Sequence, residues 1–236
     1  MNTEIALEKC HAFIGCQMKP AEKPTSASQN ERPRPAVTIS RETGSGGISI
    51  AEKLAEYLQA HDRDTTCPWT VFHKNLVEKV LADHSLPQRL AQFMPEDRVS
   101  AIQDMVEEVL GLHPSSWTLV RQTTETILHL AELGHVILVG RAANVITGKL
   151  ENVFHVRLVG SLENRIERVQ SFFHIGEKAA LQFIRKEEQG RKRYLKKHFR
   201  QSIDDPLLYD LVINTDRFTQ EEAARLIGDA LLHRSR

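Results

Sequence analysis

Between an apolar β-branched run, Val37-Thr38-Ile39, and an amphipathic stretch, Ala51-Glu52-Lys53-Leu54-Ala55-Glu56-Tyr57-Leu58, lie Arg41, Glu42, Thr43, Gly44, Ser45, Gly46, Gly47 and Ser49. Residues of these types, placed there, suit the holding of a phosphate. Glycines let successive N–H groups converge on an anion, and a helix start adds unpaired N–H groups and the positive end of a dipole. Gly44, Ser45, Gly46, Gly47 and Ser49 are the expected phosphate-binding residues; the other use for the glycines is a tight strand-to-helix turn. The common phosphate-loop pattern, G-x-x-x-x-G-K-[ST], places a lysine on the β- and γ-phosphates and a hydroxyl on Mg²⁺. With Gly46 as its second glycine, Gly47 stands in the lysine's place, Ile48 in the hydroxyl's and Arg41 at the first glycine. Arg41 is the cation at hand for the lysine's task, because a guanidinium can grip two phosphate oxygens. Its alternative is a salt bridge to Glu42, itself a weaker candidate for the Mg²⁺ side. Ser45 and Ser49 are candidate Mg²⁺ hydroxyls or, equally, helix caps.

Two further groups of cations belong in the same account. Arg141 follows Val136-Ile137-Leu138-Val139-Gly140, a run without polar alternation, as in a strand covered on both faces. The densest basic run extends from Arg185-Lys186 through Arg191-Lys192-Arg193-Tyr194 to Arg200; by itself such a run reads as a solvated helix face. Arg165 and Arg168 read as helix-surface residues paired with Glu163 and Glu167.

These residues need strands that end together and helices that begin there. The β-like runs read from the residues are Val37–Ile39, Trp69–Phe72 and Val136–Val139. Helical spacing fills Lys74 to Ala131, divided by Pro87, Pro95 and Pro114, with a longer helix from Ser116 to Leu133 stopped by Gly134. Strands alternating with helices predict an α/β fold with a parallel sheet. Its ligands lie at the carboxyl ends of the strands. That rule gathers Gly44–Gly47, Gly140-Arg141 and Asn214-Thr215 on one edge.

Four segments carry a resemblance. Ile39-Ser40-Arg41-Glu42-Thr43-Gly44-Ser45-Gly46-Gly47, the strand ending in Gly140-Arg141-Ala142, Val156-Arg157-Leu158-Val159 with the helix after it, and Asp205 to Thr215 resemble, in order and spacing, the cytidylate kinase-like proteins. That family is a divergent branch of the P-loop nucleoside monophosphate kinases. The likeness covers roughly Ala36 to Ile227. It implies a P-loop kinase-like three-layer sandwich with a helical acceptor-binding lobe at about 74–133 and a helical lid at about 176–204. The implied activity is ATP- and Mg²⁺-dependent phosphoryl transfer to a nucleoside monophosphate, cytidylate by resemblance. Arg41 and Arg191 would then be catalytic, and Arg141 would hold the acceptor. Val139 and Ala142 stand where cytidylate kinases carry Asp, and His73 stands where the family usually has Asp after a Phe-Tyr pair. These departures, with the missing lysine, support the alternative of a non-catalytic, nucleotide-binding regulatory module.

Composition excludes several classes. Lys+Arg and Asp+Glu both number 31, so net charge argues against a nucleic-acid partner, and no apolar run suits a membrane span. With Glu4 and Glu8 interrupting its apolar face, the N-terminus lacks signal-peptide architecture, and Cys10, Cys16 and Cys67 read as free thiols. The expected location is the cytoplasm. Residues 1–35 read as an appendage to a domain over 36–236: a short amphipathic helix, then a proline-rich flexible linker. Its helix either does nothing or docks on a partner, a second copy included.

Overall fold

The computed structural model describes residues 8, 12–13, 15–16, 34–62, 67–73, 102, 104–109 and 118–234. β1 (Ala36–Arg41) leads through the glycine loop into α1 (Gly47–His61), and β2 (Thr70–His73) follows. Then come α2 (Thr118–Leu133), β3 (Val136–Val139), the short α3 (Ala143–Ile146) and β4 (Val153–Val159). α4 (Leu162–Phe173), α5 (Glu177–Phe199), β5 (Leu211–Asn214) and α6 (Gln220–Arg234) complete the chain. The expected lobe over 74–133 falls mostly on residues outside those described; α2 and the stretch 104–109 are its described parts.

All strand pairs are parallel, in the order β2-β3-β1-β4-β5. Successive side chains of a strand take opposite faces, and the cores divide accordingly. Val37, Ile39, Ile137 and Val139 pack with Ile50, Leu54 and Leu58 of α1 and Ala224, Ile227 and Leu231 of α6. Ala36, Val136 and Leu138 pack with Leu128 and Leu130 of α2, Ala143 and Ile146 of α3, and Leu195 and Phe199 of α5. The result is a three-layer, P-loop kinase-like α/β sandwich, with the sheet between two helical layers. No described helix is long and apolar enough to cross a membrane.

Two expectations need correction. Cys16 and Cys67 are not free thiols: they form a disulfide across a separation of 51 residues. One described leader residue also packs into the core. Phe13 is fully buried and meets Phe72 edge-on, with ring centroids 5.7 Å apart. Neither fact has a local signature, because docking of the leader onto β2 creates both. The serine caps likewise fail to appear. α1 starts after Gly46, at φ 78°, without a side-chain cap, and the Ser45 hydroxyl donates to Glu42 O at 2.9 Å.

Candidate functional site

β1 lies mid-sheet between β3 and β4. From β1 the chain crosses toward the β2 edge and from β4 toward the β5 edge, so the carboxyl end of β1 sits where the winding direction reverses. Such a point leaves a crevice open for ligand. There, Thr38 to Arg41, Val139 to Asn144 and residues of α5 line a cavity of about 390 Å³. Its charged lining, among the described residues, is Arg41, Arg141, Lys186, Arg191 and Arg193, against one carboxylate, Glu187.

Arg41 reaches this cavity because two glycines leave room for it. A Cβ on Gly47 would come 2.9 Å from Arg41 Cγ, and one on Gly140 would collide with Nη1 and lie 3.0 Å from Cζ. Gly140 also needs its positive φ of 83°, and Arg141 and Ala142 continue in the left-handed region at 56° and 59°. Strained backbone of that kind is held by its surroundings and clusters at functional sites. The guanidinium of Arg41 is enclosed. Burial first, then repulsion by Arg191, lowers its pKa to about 10 against the opposing pull of Glu187, with Arg157 and Arg141 adding to the depression. Arg191 is shifted down too, by burial, while Glu187 and Glu188 oppose. Half-buried guanidinium groups crowded together in this way raise the local positive potential.

The glycine loop lies off the cavity, joined to it through Arg41. Gly44 is pressed against α4, where an added Cβ would lie 2.5 Å from Arg165 O. Helix geometry leaves the first N–H groups of α1 without partners inside the helix. Glu42 turns away from Arg41: its Oε2 accepts from the Gly160 N–H at 3.0 Å and sits 3.4 Å from Arg165 Nε. Of the two candidate Mg²⁺ hydroxyls, Ser45 is buried and bonded to Glu42 O, whereas Ser49 is half-buried in the first turn of α1. Arg191 comes from α5, within the segment expected as a lid, and donates to Thr43 Oγ1. Arg141 lines the cavity beside Tyr194, whose phenol burial pushes up. Arg185 is exposed, and Lys192 pairs with Asp204 at 2.7 Å.

Three arginines have partners that their sequence positions do not announce. Arg165, almost wholly buried, donates to Gly160 O at 3.0 Å, to Thr43 O at 3.3 Å and to Glu188. Arg168 donates to Thr215 O at 2.8 Å and Thr215 Oγ1 at 3.1 Å, and reaches Gly44 O at 3.4 Å. The expected pairings with Glu163 and Glu167 are therefore replaced by bonds that tie the glycine loop to the ends of β4 and β5. Arg157, on β4 in register with Ser40, is buried and donates to Ser40 Oγ at 2.9 Å. Its signal was available as a lone cation within the apolar run Val156-Arg157-Leu158.

Residues 36–217 match the family model described as the cytidylate kinase-like family. A cytidylate kinase of Pyrococcus horikoshii is 24% identical over 198 residues, covering 84% of this chain and 88% of the relative. A uronate isomerase of Corynebacterium glutamicum is 29% identical over 109 residues, but those span only 21% of that protein. Among solved structures, an uncharacterized protein from Eubacterium ventriosum superposes with a TM-score of 0.55 at 22% identity, covering 85% of this chain and 99% of that one.

Proposed function

The chain belongs to the cytidylate kinase-like family, and from that premise we propose that it transfers a phosphoryl group from MgATP to a nucleoside monophosphate. Cytidylate is the first acceptor to test, because the relative at 24% identity is a cytidylate kinase. One observation carries the reading: Arg41, half-buried and surrounded by Arg141, Arg157 and Arg191, bridges the glycine loop and the cavity. Phosphoryl transfer is mostly positioning plus neutralisation of spread negative charge. On this reading the N–H groups of Gly44 to Gly47 and the start of α1 hold the donor phosphates, and Arg41 takes the lysine's place between donor and acceptor. Arg141 holds the acceptor, and Arg191 completes the enclosure from α5. Mg²⁺ enters with ATP, whose oxygens and retained waters supply most of its ligands. Ser49 is the better placed hydroxyl to add one, since Ser45 is buried and engaged.

The test is an assay with ATP, Mg²⁺ and a panel of nucleoside monophosphates, parent beside Arg41→Ala. Turnover with one acceptor is expected, and the variant should lose about 10²–10³-fold in kcat, the scale for removing a preorganised charge donor. A second reading has its own observation: Val139 and Ala142 line the cavity where cytidylate kinases carry Asp, and among the described residues Glu187 is the one carboxylate in that lining. ATP binding without turnover on any acceptor would favour it, and the protein would then be a nucleotide-binding regulatory module.

A further inference from the structure

Behind the cavity, Arg157 is 6% exposed and, among the described residues, lies 3.8 Å from the carboxylate of Asp204, which is half exposed and closer to Lys192. It donates to Ser40 Oγ and faces the Tyr209 ring at 6.0 Å. The Tyr209 hydroxyl donates to Ile203 O at 2.9 Å and sits 3.3 Å from Ser40 Oγ. Ser40 and Ile203 both line the cavity. A buried guanidinium so weakly compensated is costly unless an anion completes it. We propose that Arg157 is a positioning residue of the phosphate site, fixing the Ser40–Tyr209–Ile203 floor and placing a permanent charge behind it for a multiply charged phosphate ligand. This deepens the kinase reading and rests on it.

The test is calorimetric titration of the full chain with inorganic pyrophosphate at several salt concentrations, using the parent, Arg157→Met and Arg157→Lys. The methionine variant should bind about tenfold more weakly with a shallower salt dependence, and lysine should restore much of both. Unchanged affinity and salt slope in Arg157→Met, whatever its thermal midpoint, would overturn the inference. A parent that does not bind pyrophosphate would instead overturn the phosphate-site reading beneath it.

A separate observation concerns the leader, which precedes the residues shared with the family. Cys16 is half-buried and bonded to Cys67, which is 3% exposed and three residues before β2. Phe13 shares a buried cluster with Phe72, Leu195 and Phe199, and Tyr194 packs against that cluster. Leu195 and Tyr194 also line the cavity. We infer that Cys16–Cys67 is a redox latch that pins the leader to β2 and braces the α5 wall of the cavity. A thiolate of a dithiol reductant attacks the Cys16 sulfur, and Cys67 departs as a thiolate and takes a proton. The second thiol then closes the reductant's own disulfide and frees Cys16, so two electrons and two protons pass to the pair. Without the bond, the packing of Phe13 in that cluster remains.

Intact-mass analysis after alkylation of unfolded chain should find one of the three cysteines blocked without reductant and all three with it. Hydrogen exchange on the folded full chain should then accelerate at least severalfold at residues 70–73 and 194–199 when dithiothreitol is added. Cys16→Ala should show the faster exchange in both conditions. Three blocked cysteines without reductant, or exchange at 70–73 indifferent to reduction, would overturn the latch; neither readout depends on kinase activity.

Discussion

Arginines flank the glycine loop on two sides, and their partners differ in kind. On the α4 side, Arg165 and Arg168 spend their donors on Gly160 O, Thr43 O, Gly44 O and Thr215, with Glu42, Glu188 and Asp216 close by. On the cavity side, Arg41 is surrounded by Arg191, Arg157 and Arg141, and Glu187 is the chief opposing charge. The first pair is matched within the protein and shapes the loop. The second group gathers several guanidinium groups around one another, an arrangement suited to an anion. A guanidinium near a phosphate loop is therefore assigned by the count of its acceptors, not by proximity.

The contrast can be broken most severely at Gly140. A Gly140→Ala methyl would have to displace the Arg41 guanidinium from backbone already at φ 83°. Strain of about 1–3 kcal/mol is expected there, and a misplaced cation should cost about 10²-fold or more in turnover. A kinetic assay alongside a melting curve checks this: activity must fall far more than stability does. On the other side the order reverses. Arg165→Met removes the partner of Glu42 and Glu188, both about a quarter exposed, and strands the carbonyls of Thr43 and Gly160. The cost should be about 2–3 kcal/mol of stability, or about 4–12 °C in Tm for a chain of this size. Calorimetry checks it, and a parent-like Tm with binding lost would show that Arg165 also belongs to the ligand.

Much of the sheet was legible because buried parallel strands are unbroken apolar runs, as in Val136–Val139, all four residues of which are buried. Arg41 and Arg141 were legible as cations placed directly after such strands, with no local packing reason to be there. Arg165 and Arg168 were misread for a specific reason. The local rule pairs them with acids on their own helix, while their acceptors lie 122 and 47 residues away in sequence. Separation of that kind leaves no periodic trace. The Cys16–Cys67 pairing and the burial of Phe13 were hidden in the same way, since both depend on where the leader docks.

The smallest effect, and the most discriminating, is a proton on a histidine. Burial lowers the pKa of both His73 and His155, but their electrostatic neighbours differ: Glu52 raises and Arg41 lowers His73, while Asp210 raises and Arg234 lowers His155. A histidine with a depressed folded pKa is neutral in the native state near pH 7. Its contribution to stability is full above the unfolded value of about 6.5 and is lost as pH falls through that value toward the folded one. Both histidines should therefore make the protein less stable on acidification below about pH 6.5. Only His73 should respond to ligand, because an anion on Arg41 offsets the charge that depresses it. NMR titration with and without pyrophosphate should show the His73 pKa moving up and His155 staying put. Equal movement of the two would mean that the anion acts through a global change of structure, and the contrast between the two groups of arginines would lose its electrostatic basis.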